Sequence, residues 1–107
     1  MNPAITVRLI AHLTPATGPF RTRHFWNSQP MPRPDVLLIE ADDTGRAMLY
    51  RYTSSGEFGG DTWHESVERA KRAAAEEYGG TVGDWLPVPE AEGDAHDFAL
   101  RLTAGKK

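Results

Sequence analysis

The segment from Gly59 to Gly80 constrains the fold more than any other part of the chain. Thr62 and Glu65 stand three residues apart, as in a capping box, in which each side chain bonds to the backbone N–H of the other residue. Apolar residues then recur at spacings of four, three, four and four, which places them on one helical face: Trp63, Val67, Ala70, Ala74 and Tyr78. The sequence therefore predicts one helix, from Thr62 to Tyr78, that packs a narrow apolar face against a sheet.

Outside this helix, the apolar pattern predicts short strands. Residues 4–13 alternate between apolar and polar side chains, as in a strand with one buried face. Residues 36–39 are continuously apolar, which is typical of a central strand buried on both faces, and residues 46–53 return as its partner. Further extended segments are predicted at residues 20–26, 84–89 and 95–103. We therefore predict an α+β fold in a single domain of residues 1–107, an antiparallel sheet of about five strands with one main helix packed on one face.

The second face of the predicted sheet needs a cover of its own, because a single helix covers only one face. One candidate is the proline-rich stretch at residues 27–34, which is expected to be an extended loop outside the sheet, together with Phe25 and Trp26. The other candidate is a second copy of the chain. The sequence leaves both open, and a homodimer is one of the two expected outcomes.

Composition argues against several classes of function. The chain has no cysteine, which excludes disulfides and thiolate chemistry. Its formal net charge of −3 argues against nucleic acid as the main partner, because phosphate binding usually requires a basic face. No apolar stretch approaches the length of a membrane span, and residues 1–4 lack the basic start of a signal peptide. We expect a cytoplasmic protein that uses no cofactor.

Asp61, His64 and Glu68 form the candidate ligand or metal site. On the predicted helix His64 and Glu68 are four residues apart and can reach one ion, and Asp61 precedes the first turn. The stretch lacks the second histidine of a zinc-protease helix, and an ordinary first-turn histidine is the alternative interpretation. The sequence shows neither a nucleophile motif nor a phosphate-binding glycine loop, so enzymatic activity is the less favoured interpretation.

The candidate interaction surface consists of aromatic and arginine side chains, which dominate interface energies: Arg23, Phe25, Trp26 and Trp85. The first three precede the proline-rich stretch, and Trp85 lies on a predicted edge strand, where a partner strand can add. Base stacking on the same aromatic residues is an alternative that the acidic chain disfavours. We predict a non-enzymatic protein-interaction or regulatory module with a protein partner. The alternative is a small-ligand or metal-binding domain with its site near Asp61 and His64.

A motif runs through the predicted helix and its flanks, with GDTWH at residues 60–64, EYG at residues 77–79 and a tryptophan at Trp85. Over residues 46–89 the chain resembles a family of small uncharacterised bacterial proteins with a "GDTWH…A…EYG…W" core. That resemblance implies a bacterial protein and brings no activity with it. The order of a hairpin followed by a helix also resembles HicB-type antitoxins in arrangement, which implies a small partner-binding or regulatory role.

Overall fold

A computed structural model describes residues 5–14, 25–26, 29–30, 33–53, 58–89 and 93–104. The strands are β1 (Ile5–His12), β2 (Phe25–Trp26), β3 (Gln29–Pro30), β4 (Val36–Asp42), β5 (Ala47–Tyr52), β6 (Phe58–His64) and β7 (Leu86–Pro87). The helices are α1 (Val67–Tyr78), which continues into a 3₁₀ turn at Gly79–Thr81, and α2 (Ala95–Ala104). Five strands form an antiparallel sheet in the order β6-β5-β4-β1-β7, with α1 on one face, so the predicted α+β fold is confirmed. Within the described residues, no helix is long and apolar enough to cross a membrane.

Strand β4 is the centre of the sheet and is buried on both faces, as its apolar run predicts. Val36, Leu37, Leu38 and Ile39 are each at most 1% exposed. Neighbouring residues of a strand point to opposite faces. Leu37 and Ile39 belong to the core beneath α1, while Val36 and Leu38 belong to a separate core beneath α2. We call the α1 side of the sheet the first face and the α2 side the second face.

Helix α1 covers the first face with the narrow, alanine-rich stripe that its sequence predicts. Ala70 and Ala74 are fully buried and Tyr78 is nearly so, while Val67 packs at the margin of the same core. The small alanine side chains let the helix axis approach the sheet closely, where Leu49 of β5 joins the core. The predicted apolar face is therefore confirmed from Val67 onward.

The predicted start of this helix at Thr62 is wrong. Thr62 lies in β6 and pairs with Leu49 of β5. The helix is capped instead by Ser66, whose Oγ accepts the backbone N–H of Arg69 at 3.1 Å. Pairing with β5 supplies backbone hydrogen bonds along β6, and this non-local gain outweighs the local capping signal. Trp63 consequently leaves the helical face and is 56% exposed.

The predicted final strand at residues 95–103 is also wrong, because this segment is helix α2. The Asp94 side chain accepts the backbone N–H of His96 at 2.8 Å, which satisfies a donor at the start of the helix. Ala95 and Ala99, four residues apart, are buried against the second face. Helix α2 thus covers part of the second face, for which the sequence predicts the proline-rich stretch or a second chain as cover. The homodimer stays a prediction.

The region around the proline-rich stretch forms a short hairpin in the part that the structure describes. Phe25 pairs with Pro30 and Trp26 with Gln29, so β2 and β3 form a two-stranded sheet of their own. A short strand therefore occurs at Pro30, where an extended loop is predicted. The rest of the predicted strand at residues 20–26 lies outside the described residues.

Candidate binding surface

Helix α2 covers only part of the second face and leaves one end of it open. Its Ala95 and Ala99 pack in the core with Leu38 of β4. The next row of side chains across the strands consists of residues that pair directly in register: Trp63 on β6, Met48 on β5 and Glu40 on β4. Met48 is half-buried and Trp63 is exposed, so this row lies at the margin of the cover that α2 provides.

Two depressions adjoin at this open end. A groove of about 780 Å³ lies between β1 and the segment that leads into α2, and a depression of about 240 Å³ lies beside Trp63 and Met48. Ile5 and Glu40 line both of them. We call the two depressions together the second-face surface. Because they share two lining residues, one extended ligand can occupy both.

The larger groove follows the edge of β1. Residues 5–9 line it consecutively, and since successive side chains point to opposite faces, such a groove lies along the strand edge rather than on one face. Strand β7 pairs with this edge only at Leu9 and Ile10, and the Val88 N–H donates to the Arg8 carbonyl at 2.9 Å. Within the described ranges, β4 is the only strand that pairs with β1 at residues 5–7. Among the described residues, this part of the β1 edge has no second partner strand, and an additional extended segment can pair there.

Glu40 stands between the two depressions and is held by a histidine from α2. The Glu40 side chain is 15% exposed, and its Oε1 accepts a hydrogen bond from His96 Nε2 at 2.8 Å. Because the carboxylate only accepts, the other nitrogen of a neutral His96 ring, Nδ1, accepts from the Tyr52 hydroxyl. Burial raises the pKa of Tyr52 to about 12, so this hydroxyl keeps its proton. The chain of bonds fixes the His96 ring and the Glu40 carboxylate in place.

Tyr50 adds an aromatic ring beside these groups. Its ring meets the His96 ring edge-to-face, with ring centroids 4.4 Å apart. Tyr50 pairs in register with Asp61 of β6, which places both on the second face. Burial is the main cause that raises the pKa of Tyr50, and the negative charges of Glu40 and Asp61 raise it further. The carboxylates of Glu40 and Asp61 therefore both lie near the half-buried ring of Tyr50.

Arg8 pairs with Glu40 in register, yet its guanidinium is engaged elsewhere. It donates to the carbonyl oxygens of Pro89, at 3.0 Å, and of Gly93. These bonds tie the chain that follows β7 to β1 and form one wall of the groove. In the described part of the chain, the Glu40 carboxylate thus has no arginine or lysine partner.

A second polar network lies on the first face, and its side chains form hydrogen bonds with one another. Arg51 is fully buried, and its guanidinium donates to Glu77 at 2.6 Å, to the Tyr78 hydroxyl at 3.0 Å and to Thr62 at 3.2 Å. Thr62 also contacts His64 Nε2 at 2.7 Å. Burial, followed by the charge of Arg51, lowers the pKa of His64. The network joins β5, β6 and α1, and we interpret it as a structural link.

The structure does not bring together the predicted ligand or metal site of Asp61, His64 and Glu68. Residues three apart in a strand point to opposite faces, so Asp61 lies on the second face and His64 on the first. Glu68 is exposed in the first turn of α1. The part of the chain that the structure describes contains no group of three or more histidine, aspartate or glutamate side chains that could hold a metal ion.

The predicted interaction residues are placed in different ways. Arg23 lies outside the described residues, and Phe25 and Trp26 form β2 with side chains that are likewise outside the description. Trp85 is half-buried and packs against the core beneath α1, so much of its ring is unavailable to a partner.

The sequence alone does not identify the prominent residues of the second-face surface. The pattern predicts Trp63 on the buried face of the helix and a strand at residues 95–103, which include His96. Glu40 directly follows the apolar run of residues 36–39, and nothing in the sequence marks it as part of a site. The signal that could have found Trp63 is the alternation from Asp61 to Trp63, which fits a strand as well as a helix start.

Comparison with protein-family models, curated proteins and solved structures gave no match.

Proposed function

We propose that this chain is a protein-interaction module that binds a segment of a partner protein on the second-face surface. The observation that carries the proposal is the exposure of two large apolar side chains, Ile5 at 51% and Trp63 at 56%, around one depression. Tryptophan is among the residues that contribute most to binding energy when an interface buries it. Single exposed apolar residues are common, but here they line a depression that adjoins a larger groove.

The shape of the groove favours a polypeptide over a compact small molecule. It runs along the edge of β1, whose backbone at residues 5–7 has no partner strand other than β4 in the described part of the chain. An extended segment can pair with such an edge through main-chain hydrogen bonds, while pockets for alternate side chains supply specificity. Trp63, at the other end of the surface on β6, then serves as an apolar anchor.

The same role agrees with what the arrangement-level resemblance to HicB-type antitoxins implies. That resemblance concerns only the order of a hairpin and a helix, and the proposal does not depend on it. The partner surface proposed here differs from the one that the sequence predicts, because the anchor is Trp63 instead of Trp26 or Trp85.

Replacing Trp63 with alanine is expected to weaken binding of peptides selected against this protein by more than tenfold. A buried tryptophan anchor contributes at least about 2 kcal/mol to binding, and about 1.4 kcal/mol corresponds to a factor of ten in Kd. The measurement begins with selection from a random-peptide display library on the wild-type chain. The selected peptides are then synthesised and their Kd values for wild type and variant are measured by fluorescence anisotropy.

Arg72→Ala is the matched control, because Arg72 is a large exposed side chain on α1, which covers the first face of the sheet. Its Kd values are expected to stay within about twofold of wild type. Circular dichroism and thermal unfolding verify that both variants are folded. The proposal is abandoned if selection yields no binding peptide, or if Trp63→Ala and Arg72→Ala bind the peptides equally well.

A further inference from the structure

We propose that Glu40 recognises an arginine side chain of the bound partner segment. This inference rests on the proposed function, since it concerns the chemistry of the segment that the second-face surface binds. It follows from the place of Glu40 between the two depressions, from the state of its carboxylate, and from the aromatic rings on the same face.

The Glu40 carboxylate is largely removed from solvent, and within the described residues only one of its two oxygens has a hydrogen-bond partner. Its side chain is 15% exposed, and in the described part of the chain its one hydrogen-bond partner is His96, which contacts Oε1. A carboxylate oxygen in such a site lacks most of its hydration, so a positively charged ligand gains more there than at an open surface. The carboxylate borders both cavities, so a ligand in either one can reach it.

Two arginines of the chain line the depressions, and neither forms an ion pair with Glu40. Arg8, opposite Glu40 in register, donates to the carbonyl oxygens of Pro89 and Gly93. Arg46 lines the smaller depression as an exposed side chain near the half-buried Asp42. Within the described residues, the Glu40 carboxylate thus keeps an oxygen with which a cationic ligand can pair.

Aromatic rings next to Glu40 favour a guanidinium. Tyr50 on β5 and Trp63 on β6 lie on the same face as Glu40, and Asp61 on β6 adds a second carboxylate near Tyr50. A planar guanidinium can stack on such rings and donate two parallel hydrogen bonds to a carboxylate, whereas an ammonium group acts as a point charge. Anionic segments are disfavoured because the carboxylates of Glu40, Asp42 and Asp61 face or flank the same end of the sheet.

The test uses the display-selected peptides. We expect arginine to be enriched among them at one position, and replacement of that arginine with citrulline, its neutral isostere, to weaken binding to the wild-type chain by about tenfold or more. Because this comparison alters only the peptide, it does not depend on the folding of any protein variant. The affinity of the arginine peptide is also expected to fall with increasing salt, and that of the citrulline peptide to change little.

The protein side of the test is Glu40→Gln, which keeps an oxygen acceptor for His96 and removes the charge. The variant is expected to bind the arginine peptide about tenfold more weakly than wild type and to bind the citrulline peptide almost as well. The difference between the two effects measures the coupling between the Glu40 carboxylate and the arginine of the peptide. Glu76→Gln, at an exposed site on α1, is the matched control and is expected to bind like wild type.

The outcomes separate this inference from the proposed function. If citrulline substitution or Glu40→Gln leaves affinity unchanged while Trp63→Ala still abolishes binding, the arginine inference is wrong and the interaction surface stands. If the peptides bind without dependence on Trp63, or no peptide is selected, the proposed function is wrong and this inference with it.

Discussion

Replacing Arg51 with methionine is expected to lower the free energy of unfolding by about 3–5 kcal/mol, because the change removes one partner of a buried ion pair. The side chains of Arg51 and Glu77 are 0% and 10% exposed, and their charged atoms are 2.6 Å apart. Without the guanidinium, the largely buried Glu77 carboxylate loses the opposite charge of Arg51. The Tyr78 hydroxyl loses a hydrogen-bond donor at the same time. Urea unfolding followed by circular dichroism measures the loss.

Two comparisons show whether the buried pair is the cause. The double variant Arg51→Met with Glu77→Leu removes both charges and is expected to recover most of the lost stability, because apolar replacements of a buried pair are often neutral. Arg69→Met breaks a pair with Glu65 whose side chains are 66% and 65% exposed, and it is expected to change stability by no more than about 1 kcal/mol. If Arg51→Met lowers the free energy of unfolding by less than about 1 kcal/mol, the network on the first face is not the structural link described above.

Replacing either Leu37 or Leu38 with alanine is expected to lower the free energy of unfolding by about 2–5 kcal/mol in each case. Both side chains are fully buried, although they are neighbours in β4 and therefore point to opposite faces. Leu37 packs in the core beneath α1, and Leu38 packs in the core beneath α2 with Ala95 and Ala99. Two adjacent large losses are expected only if both faces of the strand are covered.

The control for this pair is Met48→Ala in β5, at a half-buried site next to Trp63. It removes a comparable side chain and is expected to cost clearly less than Leu38→Ala, since less apolar area returns to water. Chemical denaturation of the three variants gives the comparison. If Leu38→Ala costs no more than Met48→Ala, then α2 does not cover the second face in the way described.

The central part of the fold could be predicted from local pattern. The apolar run of β4 indicates burial on both faces, since no polar side chain interrupts it, and Leu37 and Leu38 are buried as that pattern requires. The spacing of Ala70, Ala74 and Tyr78 likewise identifies the buried face of α1. In both cases the decisive information lies within a few consecutive residues.

The errors lie where two local signals compete and a distant contact decides between them. Thr62 and Ser66 are both suitable helix caps, and pairing of β6 with β5 selects Ser66. The apolar pattern of residues 95–103 fits a short strand by alternation and a helix by the spacing of Ala95 and Ala99. The helix is formed because its alanine face packs on the sheet, which the segment itself does not reveal.

The second-face surface could not be predicted from the sequence because its residues are far apart in the chain. His96 contacts Glu40 across 56 residues and Tyr52 across 44 residues. No spacing rule connects residues at such distances, and each taken alone reads as an ordinary surface or core residue. Trp63 joins them only because β6 is a strand, so its misplacement on the helix concealed the site.

The proposal that the second-face surface binds a polypeptide is tested most directly by nuclear magnetic resonance of the labelled chain titrated with a display-selected peptide. Since the surface is formed by the edge of β1, the Glu40 end of β4 and the Trp63 end of β6, the largest changes in backbone amide shifts are expected at residues 5–8, 40–48 and 61–64. Helix α1, on the first face, is expected to change little. Largest changes along α1, with the second-face surface unaffected, would contradict the account.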